Sequence, residues 1–238
     1  MAVTINGNGT ITGVTTLPDG IVTNDDLAGS IAISKLATTG TPSSSNFLRG
    51  DGAYAAAGGG AWNLLSTHTA STSVSLDITT DINSTYKIYK IEITDLIPTD
   101  DNKNIVLRMG DSSGFDSGAS DYSYISVGFY SGTSTWTFPS PLADSTHSYI
   151  ELASGAGNPY VGDAAGEGFN ASLTLNRSIT GVYPSIRGTA FYQLYTGEEA
   201  GSTIFGQRSS GITLDRIQIF VPSSTLASGT MSLYGLSQ

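Results

Sequence analysis

The chain has 238 residues and a formal net charge of −10, from 20 acidic and 10 basic side chains, and it contains no cysteine. That excludes disulfides, thiolate chemistry and cysteine-built zinc sites. The acidity is spread along the chain and leaves no basic patch for a phosphate backbone, so nucleic acid is not an expected partner. Charged residues make up only 13% of the chain, against about a quarter in ordinary soluble proteins. Gly, Ser and Thr stand in their place, the composition of a β protein whose polar faces carry hydroxyls. No run reaches the ~20 apolar residues of a membrane span, and the start, MAVTINGNG, has neither the basic nor the apolar region of a signal peptide. Membrane insertion is not expected, and synthesis in a cytoplasm is.

Val3, Ile5, Ile11 and Val14, separated by Gly7 and Gly9, read as two short strands around a turn. Leu17-Pro18-Asp19-Gly20 is a β-turn, in which Pro presets one backbone angle and Gly supplies the other. Asn24 or Asp25 can cap a short helix that puts Leu27 and Ile31 on one face; equally, Ile31 and Ile33 alternate as in a strand. No piece of residues 1–57 is long enough to bury its own apolar side chains, and a lone hairpin in water is marginal. Val14, Leu17, Ile21, Leu27, Ile31 and Leu36 recur too regularly for a plain linker. Either the region is disordered or other chains complete it, and the regular recurrence favours completion by identical chains. Residues 58–61, Gly-Gly-Gly-Ala, form a hinge between this segment and the rest.

Just before the hinge, GTPSSSNFLRGDGAY follows DLAGSIAISKLATT. This junction resembles one that recurs in bacteriophage tail-fibre and related virion appendage proteins, where it joins an N-terminal attachment stem to a distal β domain. The resemblance covers residues 24–54, and more loosely TINGNGTITGV; the closing GTMSLYGL is a weaker second match. Arg49-Gly50-Asp51 inside the junction spells an integrin-recognition tripeptide, but Gly50 and Gly52 already account for it as a turn.

From residue 62 the pattern has period two. Val74, Leu76 and Ile78 alternate with polar residues, a strand with one buried face. Ile88, Ile91 and Ile93 follow, and the break between 88 and 91 suggests a bulge. Further strands are expected over residues 104–109, 124–130, 148–152, 169–175, 185–195 and 204–207. Turn-rich segments at 95–101, 110–121, 155–168 and 197–202 stand between them. Near the end, Leu214, Ile217 and Ile219 alternate in LDRIQIF, as do Met231, Leu233 and Leu236 around Tyr234 in GTMSLYGL, and SSTLASG is expected to join the two as a hairpin. Lys and Glu are almost absent from these closing strands, so one face is expected against the opposite sheet and the other against a neighbouring chain. No sustained helical period occurs. About ten strands fit an all-β, two-sheet antiparallel sandwich over 62–238, jelly-roll-like in form.

Chemistry is sparse. His68 and His147 are the only histidines, neither has a carboxylate at motif spacing, and no G-x-S-x-G elbow is present. Glu198 and Glu199 point to opposite sides of an extended chain and so do not flank one bond. Asp111, Asp116 and Asp121 offer oxygen ligands suited to calcium but miss the EF-hand spacing, and a mobile acidic loop is the plainer reading. No catalytic residue, cofactor or metal is therefore assigned. Tyrosine is frequent, with 12 residues, and a flat ring with a polar handle suits sugars and protein interfaces alike. Tyr122, Trp136, Tyr160 and Tyr183, read as loop residues, are the candidates for outward contact.

The phage resemblance implies a homotrimer, a stem over residues 1–57 that meets other virion proteins, and a non-enzymatic distal domain that contacts a host glycan or protein. It implies location in the virion after synthesis in a bacterial cytoplasm. A head fibre, a capsid decoration protein or a tail-tip component fits the same pattern without receptor binding.

Overall fold

The computed structural model describes residues 4–5, 11–12, 39–41, 43, 46–56, 61–131, 136–137, 142–153, 160–177 and 182–237. They contain strands and no helix. The chain divides into two units, Met1–Gly58 and Gly59–Gln238.

In the first unit, β1 (Thr4–Ile5) pairs with β2 (Ile11–Thr12), and β3 (Asn46–Leu48) pairs with β4 (Tyr54–Ala56). The Arg49-Gly50-Asp51 tripeptide forms the turn of the second hairpin. The Gly52 N–H donates to the Arg49 carbonyl at 3.0 Å, and the Ala53 N–H donates to Asp51 Oδ1 at 3.1 Å. Phe47 and Leu48 remain exposed in the single chain. The helix-or-strand alternative at 24–33, the Pro18 turn and the hinge glycines lie outside the described residues.

The second unit begins with β5 (Trp62–Thr69), β6 (Ser75–Ile78), β7 (Ile88–Pro98), β8 (Val106–Asp111) and β9 (Gly114–Phe115). It continues through β10 (Tyr122–Ser131), β11 (Trp136–Thr137), β12 (Leu142–His147) and β13 (Ile150–Glu151). β14 (Phe169–Asn176), β15 (Ser185–Gln193), β16 (Glu199–Arg208), β17 (Arg216–Phe220) and β18 (Leu226–Leu236) complete it. All strand pairings are antiparallel, in two large sheets consistent with a β-sandwich. The larger sheet runs β11-β10-β16-β15-β14-β7-β18-β5, with β12 also on β10; the smaller runs β13-β8-β17-β6, with β9 on β8.

Alternation builds the core. Tyr89, Ile91 and Ile93 of β7 point inward beside Leu173 and Leu175 of β14 and Leu233 of β18, while Leu107, Met109, Ile217 and Ile219 come from the smaller sheet. Each such side chain contributes about 1.5–3 kcal/mol by leaving water. The sheets also share polar contacts. The Ser202 hydroxyl of β16 donates to the Leu152 carbonyl at 2.8 Å, and the Tyr122 hydroxyl accepts the Met109 N–H at 2.8 Å.

Two expectations fail here. SSTLASG is not a hairpin: β17 pairs with β6 and β8, whereas β18 pairs with β5 and β7, so the link crosses from one sheet to the other. Alternation reports that one face of a strand is buried and is silent on which neighbour it pairs with. The bulge is not at 88–91 either, because Tyr89 fills the inward phase there and Ile88 turns out. The register breaks between Ile93 and Leu96, where Asp95 has φ +49° and the facing Gly229 has φ +110°. A Cβ on Gly229 would lie 2.5 Å from the Asp95 carbonyl oxygen and the Leu96 Cα, so only glycine fits beside the bulge.

Candidate functional site

The larger sheet has strands to spare. β10, β15 and β16 extend it beyond β14, and their outer side chains meet solvent. Ile125, Val127 and Phe129 project outward from β10, Phe205 from β16 and Phe191 from β15, each at least 37% exposed. The strand registers place them in rows. Ile125 stands opposite Phe205; Phe129 stands opposite Gly201, and Gly201 opposite Phe191. Five large apolar side chains thus share one side of three adjacent strands.

Gly201 explains how one ring lies. A Cβ there would fall 2.7 Å from Phe129 Cζ and 3.2 Å from Cε1, so the Phe129 ring covers the position that a side chain would occupy. The ring lies down over β16 toward Phe191 instead of standing off the sheet. Gly201 is buried beneath it.

The adjoining row is polar. Val127 leads to Thr203, Thr189, Ser172, Glu92, Ser232 and Thr67, one residue from each of seven consecutive strands. Such residues repeat at the interstrand spacing of ~4.8 Å. The Ser172 hydroxyl donates to Glu92 Oε1 at 3.1 Å, Lys90 forms an ion pair with Glu92, and the Thr67 and Ser232 hydroxyls are 2.9 Å apart. A groove of about 500 Å³ opens where the rows meet, with Phe129 and Phe191 on one side and Glu92, Ser172, Thr189 and Thr203 along the floor. A second hollow, of about 390 Å³, lies beside Phe205, Arg187 and Gln207.

The four residues singled out from sequence do not come together. Tyr122, expected outward, is fully buried at the start of β10. Its hydroxyl bonds both the Met109 N–H and carbonyl, at 2.8 and 2.9 Å, and the Asp116 carbonyl at 3.0 Å; burial pushes the phenol pKa up. It bridges the two sheets and offers no face to a ligand. Trp136 belongs to β11, paired with Ser131 at the far end of β10, and its side chain lies outside the described residues. Tyr160 is half-buried, its phenol raised by burial and then by the nearby Glu151 charge. Tyr183 is exposed. Tyr183 precedes β15, whereas Tyr160 adjoins Val161, which bridges to Leu194 beyond the other end of that strand. Nine strand residues, or ~30 Å, separate the two ends.

The acidic loop at 111–121 is occupied internally. Arg208 donates from Nε to Asp116 Oδ2 at 2.8 Å and from Nη1 to Asp121 Oδ1 at 3.0 Å. Asp121 Oδ2 accepts the Gly118 N–H, and Asp111 Oδ1 accepts the N–H and hydroxyl of Ser113. These bonds engage four of the six carboxylate oxygens of the three aspartates. Burial raises the Asp116 pKa, against the opposing pull of Arg208. Elsewhere, oxygens of Asp101, Asp163 and Glu167 lie within 4.8 Å of one another. Backbone N–H groups of Asp163 and Ala164 bond Asp101 and Glu167. His68 Nε2 and His147 Nδ1 are buried without a hydrogen-bond partner, and the His147 ring packs against Tyr149 with centroids 4.2 Å apart.

Sequence reasoning passed over the outward residues of β10 because its two phases mislead. YSYISVGFY buries Tyr122, Tyr124, Ser126 and Gly128 and exposes the more apolar Ile125, Val127 and Phe129. A signal was present in that reversal, since an apolar phase turned to solvent marks a contact surface. Compared with known proteins, the chain matches no family model, no curated protein and no solved structure.

Proposed function

We propose that this protein is a non-enzymatic appendage of a phage virion, a short homotrimeric tail fibre whose β domain contacts the host surface through the outer side of its larger sheet. The observation that carries the reading is the exposure of Ile125, Val127, Phe129, Phe191 and Phe205 together beside a hydroxyl-lined groove. Isolated exposed apolar residues are ordinary; five large ones on adjacent strands are the mark of a surface that meets something.

The domain is read as a jelly roll with an extended sheet. Support comes from eight strands in the order β5-β18-β7-β14 and β6-β17-β8-β13, between which the chain passes sheet to sheet from β5 to β8, from β13 to β14 and into β18. β15, β16 and β10 then widen the first sheet. The trimeric stem rests on the first unit, whose hairpins of two- and three-residue strands leave Phe47 and Leu48 uncovered in one chain. Two further copies supply the missing cover, and the stem joins other virion proteins.

A head fibre or decoration protein would present the same sheet to a neighbour in the particle. Gold-labelled antibody against the protein, imaged on intact virions, separates the readings. Label at the tail's distal end is expected; label distributed over the capsid would overturn the fibre assignment.

A further inference from the structure

At the opposite end of the larger sheet, β5 pairs with β18 alone among the described residues. The Ala61 carbonyl accepts the Ser237 N–H, and the Ala70 N–H donates to the Gly229 carbonyl, each at 2.9 Å. In an antiparallel ladder these bonds flank the pairs Trp62–Leu236 and Thr69–Thr230, so the N–H and C=O of Trp62 and Thr69 turn away from β18. By the same alternation on either side of the bulge at Leu65, the backbone groups of Leu64 and Thr67 turn away as well.

Free edges are usually blunted by charge, proline or brevity. The other edges follow that rule. β11 and β13 have two residues each, β6 has four and includes Asp77, and β12 includes Asp144. β5 runs for eight residues, WNLLSTHT, with no Asp, Glu, Lys, Arg or Pro. Its inward side adds a second, independent observation. Ser66 Oγ and His68 Nε2 are buried and have no hydrogen-bond partner among the described residues. They stand opposite Leu233 and Met231 of the core. An unpaired buried polar atom is costly, and two on one free edge mark the place of an absent neighbour.

We propose that β5 takes up an extended, uncharged segment of another polypeptide as an added strand, with hydroxyl or amide side chains opposite Ser66 and His68. The added backbone pairs with Trp62, Leu64, Thr67 and Thr69, and its inward side chains reach the two orphaned atoms. Its outward side chains are apolar beside Trp62 and Leu64, both of which are exposed. An ionised inward residue is excluded, because it would be set against the apolar core at Met231 and Leu233. A second copy of β5 fits less well. The antiparallel register that joins all four outward residues, 62 with 69 and 64 with 67, sets Leu65 against Ser66 and leaves that hydroxyl unpaired. This edge is separate from the outer sheet face proposed to meet the host, and the inference does not rest on that role.

The probe is a synthetic peptide of the same length as β5, alternating threonine and valine and capped at both ends, titrated into the full chain. Binding is expected, with slowed hydrogen exchange at the amides of Leu64, Thr67 and Thr69. The same peptide N-methylated along the edge that faces β5 keeps every side chain but loses several backbone bonds. It is expected to bind about tenfold more weakly or worse. Ser66→Ala removes an unpaired hydroxyl, so it is expected to keep or raise the melting temperature while weakening binding about threefold or more.

No binding up to about 1 mM peptide, or equal affinity for the methylated form, would overturn strand addition. Protection on β6 or β12 in place of β5 would do the same. Unchanged binding by folded Ser66→Ala would remove the orphaned atoms and the partner they specify. Amides of β5 that are protected without peptide and open on dilution would assign the edge to a second copy, and the proposal would fall.

Discussion

Arg208 sets its Nε 2.8 Å from Oδ2 of Asp116, with only 8% of its own side chain exposed. It is the last residue of β16, and Asp116 belongs to the loop that leads into β10, so one guanidinium pins that loop to the extended sheet. The same group reaches Asp121 and lies over the Tyr122 ring, 5.7 Å from its centroid. Arg208→Ala leaves two partly buried carboxylates without their cation and is expected to cost roughly 3 kcal/mol. Tyr122→Phe strips a partner from the Met109 N–H, at about 1–3 kcal/mol. Urea unfolding of the single and double variants measures both losses. Because the residues touch, the two should not add.

At the bulge, Gly229→Ala combines a φ of +110° with a Cβ 2.5 Å from backbone atoms of β7. A loss of about 2 kcal/mol or more is expected. Asp95→Gly relieves a φ of +49° and should cost little. A similar melting temperature for the two variants would show that the bulge tolerates a side chain on either strand.

Asp111 supplies a pH dependence whose sign follows from its turn. Hydrogen bonds from Ser113 hold its pKa below the unfolded value of 3.8. Its contribution is therefore present above pH 3.8 and is lost as pH falls through the lower folded value. Asp111→Asn should reduce stability at neutral pH and flatten the fall below 3.8. Thermal melts from pH 2.5 to 7 read both effects. A variant whose curve stays parallel to wild type would remove Asp111 from the account.

The stem reading sets a mass. With apolar residues of the first unit covered only by other copies, full-length protein should scatter light as a particle about three times the 24.6 kDa chain. Residues 59–238 alone should be a folded monomer. A monomeric full-length chain with a cooperative melt would contradict the stem.

Much of the second unit was legible because alternation is a local property of strands with one buried face. Leu76 and Ile78, Ile217 and Ile219, and Met231 and Leu233 were placed inward by spacing alone and are buried, whereas Val74, given the same phase, is 74% exposed just ahead of β6, and Leu236 is only half-buried. Partnership was not legible: the link between β17 and β18 looks identical whether it turns back as a hairpin or crosses to the other sheet. Which phase faces in was legible only where the other phase is polar. In β10 it is not, so Ile125 and Phe129 went unnoticed while Tyr122 was read as outward. Tyr122 is inside because its hydroxyl finds Met109, a partner 13 residues away that no spacing rule reveals. The groove was equally hidden, since Glu92, Thr189 and Thr203 are brought to one row only by the register of β7, β14, β15 and β16.

Competition for adsorption tests the contact surface most directly. Purified full-length protein is mixed in excess with host cells before intact phage are added, beside a Phe129→Ser, Phe191→Ser, Phe205→Ser variant of equal melting temperature. The account predicts that the wild type blocks adsorption and the triple variant does not. Equal blocking by both proteins would contradict it, because the exposed phenylalanines of the larger sheet would then have no part in contact with the host.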